Sequence, residues 1–146
     1  MLKKVVTKSP EATKALAKKF ASHLRGDEIL AFTGDLGSGK TTFIQGLAQG
    51  LGIKERVISP TFVLQRIYRG RFPLLHYDFY RLKEEEILDL GWEENWAEGI
   101  IAIEWAEKRK KLPPQAIRIE IKEKNRSKRE FIFRLPLQRS YLARAL

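Results

Sequence analysis

Cysteine is absent from the 146-residue chain, which excludes disulfides and thiolate metal centres. Its absence suits a reducing compartment, and the expected location is the cytoplasm. Methionine occurs once, and asparagine only at Asn95 and Asn125. The basic start Met1-Leu2-Lys3-Lys4-Val5-Val6 has no apolar run behind it. Neither a signal peptide nor a membrane span is expected, and no membrane partner. Repeats, low-complexity tracts and linkers are also missing, so one domain is the expectation at this length.

What the chain has in quantity is positive charge, +10 net, with 32% charged and 43% hydrophobic residues. The hydrophobic share is enough for a packed core. Two readings of the charge stay open. One is a phosphate-bearing partner such as RNA. The other is the solvated, heat-adapted surface that scarce thermolabile side chains accompany. Lys and Arg are densest over residues 108–111 and 122–129.

Apolar spacing gives an alternating α/β order. A strand is expected over residues 2–7. A helix then starts at the N-cap Ser9 with Pro10 in its first turn, carries the stripe Ala12, Leu16, Phe20, Leu24, and ends at Gly26. The run Ile29-Leu30-Ala31-Phe32 reads as a strand buried on both faces, which favours parallel pairing. A helix with Phe43, Ile44, Leu47, Ala48 and Leu51 follows, ending near Gly50 and Gly52. Residues 63–68 and 72–79 read as two strands, 82–90 as a short acidic helix, and 100–103 as a second buried strand. Period-two alternation over residues 117–122 and 131–135 predicts an antiparallel hairpin, and residues 138–146 a short helix. The expected fold is α/β, a three-layer sandwich: a mixed, largely parallel central sheet with a C-terminal antiparallel hairpin.

Between the first buried strand and its helix lies Gly34-Asp35-Leu36-Gly37-Ser38-Gly39-Lys40-Thr41, a full match to G-x-x-x-x-G-K-[ST], so the expected sandwich is P-loop NTPase-like. Glycines let main-chain N–H groups turn inward around a phosphate, and the helix start adds unpaired N–H groups with a positive dipole end. The expected nucleotide-binding residues are Leu36, Gly37, Ser38, Gly39, Lys40, Thr41 and Thr42. Lys40 reaches the β- and γ-phosphates, and the Thr41 hydroxyl sits on Mg²⁺. Asp35 is read as facing solvent or shaping the loop.

Such a loop needs carboxylates opposite it, one on the metal side and one near the attacking water. Two strands end in acids, Asp78 and Glu104, and open α/β sheets bind ligands at strand carboxyl ends. The alternatives are a turn carboxylate pairing with Arg81 for Asp78, and a dipole-stabilised helix-start acid for Glu104. His76 reads as a core histidine, and Trp92, Trp96 and Trp105 as packing residues, Trp105 bordering the site. Ser59-Pro60-Thr61-Phe62 reads as a turn in which Thr61 is a candidate γ-phosphate switch. A small-molecule kinase shares the loop, but no segment looks like an arginine-rich lid. A tRNA-binding module using ATP structurally is the third reading. No N-K-x-D sequence is present to read guanine.

Taken in order, the loop with Thr42, then Ser59-Pro60-Thr61-Phe62, His76-Tyr77-Asp78-Phe79-Tyr80-Arg81 and Ile103-Glu104-Trp105 resemble the TsaE (YjeE) family over nearly the whole chain. This is the small ATPase family of tRNA threonylcarbamoyladenosine synthesis. The resemblance implies ATP or ADP bound with Mg²⁺ and slow hydrolysis. It also implies action with TsaB and TsaD, which transfer threonylcarbamoyl to adenosine 37 of tRNAs reading ANN codons. By the same likeness Thr41 and Glu104 stand on the magnesium side and Lys40 holds phosphate. Asp78 and Thr61 belong to the switch and hydrolysis machinery, and the adenine pocket lies around Pro10 and Lys128. Contact with tRNA would come through the complex.

Overall fold

The structure is a computed structural model that describes residues 1–35, 38–60, 64–89, 91 and 98–146. Among these, a seven-stranded sheet runs in the order β1-β7-β6-β2-β5-β4-β3. The strands are β1 (Leu2–Thr7), β2 (Ile29–Thr33), β3 (Gln65–Tyr68), β4 (Leu74–Asp78), β5 (Ile100–Glu104), β6 (Ile117–Glu123) and β7 (Arg129–Arg134). The helices are α1 (Pro10–Ala21), α2 (Lys40–Gly50) and α3 (Glu84–Asp89). No helix among the described residues is long and apolar enough to cross a membrane.

Parallel pairing occupies the centre, β6-β2-β5-β4, and antiparallel pairing the edges, β1-β7-β6 and β4-β3. The central strands β2, β4 and β5 are buried almost throughout because both sheet faces are covered there. On one face Leu30, Phe32, Ile100, Ala102, Phe131 and Phe133 pack under α1 and α2. On the other Ile29, Ala31, Tyr77, Ile101 and Ile103 join Leu82, Ile87 and Leu112.

Helix α1 starts as its sequence dictates: the Ser9 hydroxyl accepts the Ala12 N–H at 3.0 Å, with Pro10 next. It ends at Ala21, earlier than Gly26. The Ser22 hydroxyl donates to the Lys19 carbonyl, and the buried Glu28 carboxylate accepts the N–H groups of Arg25, Gly26 and Asp27. A side chain two residues downstream thus takes the amides that a longer helix would have used.

Helix α2 positions the loop residues, and two contacts hold it. Phe43 is fully buried, with ring centroids of Phe20, Phe32, Phe131 and Phe133 at 5.5–6.1 Å. Burial of such a ring stabilises by about 2 kcal/mol or more. Gly46 faces α1, where a Cβ would lie 2.7 Å from the Lys14 Cα, so the glycine permits the close crossing. Anchored three residues beyond Lys40, α2 cannot roll and carry the lysine away.

Residues 137–145 are a 3-10 helix (Leu137–Ala145) rather than an α-helix. It is tied back by Tyr141, whose hydroxyl donates to Glu28, and by Arg139, which donates to Asp27 at 2.9 Å. Burial first, and then the Glu28 carboxylate, push the Tyr141 phenol up to about 12. A phenol that holds its proton more tightly when folded adds stability below its unfolded value near 10, and loses it as pH rises through the folded value. In urea unfolding the native chain is therefore expected to exceed Tyr141→Phe by about 1 kcal/mol or more at neutral pH. That margin should shrink between about pH 10 and 12. A margin indifferent to pH would break the assignment.

Candidate functional site

Parallel alignment of β2, β4 and β5 brings their carboxyl ends to one edge of the sheet, where Asp78 lies opposite Glu104 and Phe32 on the other side. The loop leaves β2 at that edge. Gly34 has φ +144°, and a Cβ there would fall 2.6 Å from the Ile121 carbonyl oxygen. Only glycine fits both the backbone angle and the space. Helix α2 begins after Gly39 with no side-chain cap, so its first N–H groups point toward the loop's interior unclaimed by a cap.

Lys40 is buried, 5% exposed. Its ammonium donates to the Gly34 carbonyl and lies 3.4 Å from the centroid of the Trp105 ring. Burial pushes its pKa down, and the carboxylates of Glu107, Glu104, Asp78 and Asp35 pull it back up. Trp105 takes a left-handed backbone, φ +60°, directly after β5, and Tyr80 packs against its ring at 4.8 Å. A non-glycine residue held there is a local strain that the ring's position over Lys40 accompanies.

The Thr41 hydroxyl donates to Glu104 Oε1 at 3.1 Å, while Glu104 Oε2 meets His76 Nε2 at 2.7 Å. Asp78 accepts the Tyr80 N–H at 2.8 Å and the Ser59 hydroxyl at 3.3 Å. That second bond ties Asp78 to the Ser59-Pro60 segment. Thr61, Leu36, Gly37, Trp92 and Trp96 lie outside the described residues. Asp35 is exposed, and its carbonyl accepts the Ser38 N–H.

These groups fit a polyphosphate with its cation. Among the described residues the buried Ser38 hydroxyl has no hydrogen-bond partner, the α2 start has no side-chain cap, and the Lys40 ammonium lies at the Gly34 carbonyl. Such donors match phosphate oxygens. Among the described residues no cluster of three or more His, Cys, Asp or Glu side chains could cage a metal. The Thr41 hydroxyl and the Glu104 carboxylate would offer a cation only a few oxygens, the sparse protein share typical of Mg²⁺ held jointly with phosphates and water.

Beside Gly39 and Thr42 opens a cleft of about 90 Å³, also lined by Ser9, Pro10, Thr13, Arg126, Ser127 and Arg129. Pro10 is among these residues and Lys128 is not. At the hairpin turn the lining falls to the neighbours of Lys128, because adjacent residues of a turn point in different directions.

His76 is a buried, hydrogen-bonded histidine, as its sequence context suggested, but its partner was not foreseen. It is fully buried, yet it meets the strand-end acid rather than a core acceptor. The signal was present: His76 and Asp78 are two apart on a strand and so share a face. Ala102 lies opposite His76, small enough for the imidazole to lean diagonally to Glu104. Glu107, whose carboxylate acts on Lys40, carried no such signal.

Known proteins resemble the chain closely. The family model of "Threonylcarbamoyl adenosine biosynthesis protein TsaE" matches residues 7–131. The tRNA threonylcarbamoyladenosine biosynthesis protein TsaE of Bacillus subtilis (strain 168) is 43% identical over 130 residues, covering 87% of this chain and 82% of the relative. Its namesake in Aquifex aeolicus (strain VF5) is 40% identical over 131 residues, 88% and 94% of the two chains. The crystal structure of Bacillus subtilis YdiB superposes with a TM-score of 0.84 at 35% identity, covering 99% of this chain and 93% of that one. With the family model spanning most of its length and these identities behind it, the chain belongs to the TsaE family of threonylcarbamoyladenosine biosynthesis proteins.

Proposed function

We propose that the chain binds ATP with Mg²⁺ and hydrolyses it slowly, serving tRNA threonylcarbamoyladenosine formation together with TsaB and TsaD. The observation that carries this reading is the convergence of Lys40, Thr41 and Glu104 where β2 and β5 end. Lys40 neutralises the β- and γ-phosphates once it leaves the Gly34 carbonyl, and the α2 amides and the Ser38 hydroxyl take the remaining oxygens. Thr41 and Glu104 hold the cation, which when bound offsets phosphate charge and polarises the γ-phosphoryl group. Asp78, bonded to Ser59, couples the segment that carries Thr61 to the strand tip. Adenine enters the cleft between Pro10 and the β6–β7 turn around Lys128, where the Arg126 and Arg129 neighbourhood adds positive potential. In this reading the threonylcarbamoyl transfer itself falls to the partners.

Phosphate release provides the test. Turnover is expected to be slow, abolished by EDTA, and altered by adding TsaB and TsaD. Turnover that instead requires a small-molecule acceptor would overturn the reading in favour of a kinase.

A further inference from the structure

We propose that His76 is a positioning residue: through its Nε2–H it fixes the Glu104 carboxylate so that Oε1 faces Thr41 and the cation site. This inference rests on the function proposed above and extends it to a side chain outside the nucleotide-binding loop.

The geometry carries it. His76 is fully buried in β4, and its Nε2 lies 2.7 Å from Glu104 Oε2. Its Nδ1 has no hydrogen-bond partner among the described residues, so Glu104 is the polar contact that defines the ring's orientation. Burying an imidazole with one nitrogen unsatisfied is costly, and an apolar residue would fill the position better if packing were all it did. Leu74, two residues earlier on the same face of β4, illustrates that cheaper solution.

Glu104 itself is 3% exposed and has few donors to choose between. Thr41 holds Oε1 and His76 holds Oε2. Without the imidazole, the terminal torsion of the glutamate, which is broad and nearly two-fold, is limited by Thr41 alone. Lys40, whose charge Glu104 already feels, would then compete for the carboxylate. With Oε2 pinned, the free lone pair of Oε1 is presented beside the Thr41 hydroxyl, where a cation needs both oxygens. A partner of this kind behind a metal ligand typically changes metal affinity about 10–100-fold when removed.

The test uses the full chain and a fluorescent ADP analogue titrated with Mg²⁺. His76→Phe keeps ring volume and removes the donor, whereas His76→Gln places an amide N–H near the former Nε2. The Mg²⁺ midpoint is expected to rise about tenfold or more in the Phe variant and to stay near native in the Gln variant. Affinity measured in EDTA should be unchanged in both. A histidine serving only the core would lower the melting temperature of both variants and leave the Mg²⁺ midpoint alone.

Should His76→Phe fail to fold, His76→Asn, whose shorter amide cannot reach Glu104, takes its place against Gln. A folded Phe or Asn variant with the native Mg²⁺ midpoint overturns the inference, as does an equal shift in Gln. Nucleotide binding by the native chain that ignores Mg²⁺ would overturn the proposed function itself, a result distinct from either of these.

Discussion

Lys40→Ala is expected to weaken ATP binding by about 3 kcal/mol, roughly a hundredfold in calorimetry. The ammonium is the sole cation seated inside the loop among the described residues, and it is buried beneath the Trp105 ring. Burial pushes its pKa down, and four carboxylates oppose that shift. When phosphate binds, the ammonium's bond to the neutral Gly34 carbonyl is exchanged for bonds in which both partners are charged. Alanine removes the second state without a substitute. The melting temperature should move much less than the affinity, because desolvating a buried cation offsets most of what its contacts contribute. Native ATP affinity in the alanine variant would mean that the loop does not hold the phosphates.

Glu104→Gln should separate binding from hydrolysis. The amide keeps the size of the side chain and an oxygen for the Thr41 hydroxyl, but loses the charge. Mg²⁺ is a hard cation that depends on that charge. Mg²⁺-dependent phosphate release is therefore expected to fall by at least about a hundredfold, several kcal/mol of transition-state stabilisation. In EDTA the sign reverses. A negative group near the phosphate loop has been removed, so ATP should bind equally well or more tightly. Hydrolysis at the native rate, or a parallel loss of binding in EDTA, would place the cation elsewhere. Asp78 offers the natural comparison: it lies opposite Glu104 in the register but is occupied by the Tyr80 amide and Ser59.

Much of this was legible in the residue order. The phosphate loop is a local object: eight consecutive residues, a buried strand before and an amphipathic helix after, and no distant part of the chain is needed to write it. The caps and strands of the ordered elements were legible for the same reason. Ser9 and Pro10 start α1, and alternation marks β6 throughout and β7 in part. Where the sequence misled, a distant group had intervened. Glu28 collects the amides after α1, which stops at Ala21 rather than at Gly26.

The sequence by itself determined that a full phosphate-loop motif lies between a buried strand and a helix and that two strands end in carboxylates, because both are matters of neighbouring residues and period. It could not decide which acid meets Thr41. That depends on strand order: β5 lies beside β2, and β4 one place farther out. Nor could it give His76 its partner, since a diagonal contact across two parallel strands exists only after their register is fixed. Side-chain chemistry is written along the chain, but the pairing of charges is set by which strands become neighbours, and that choice belongs to the packed sheet.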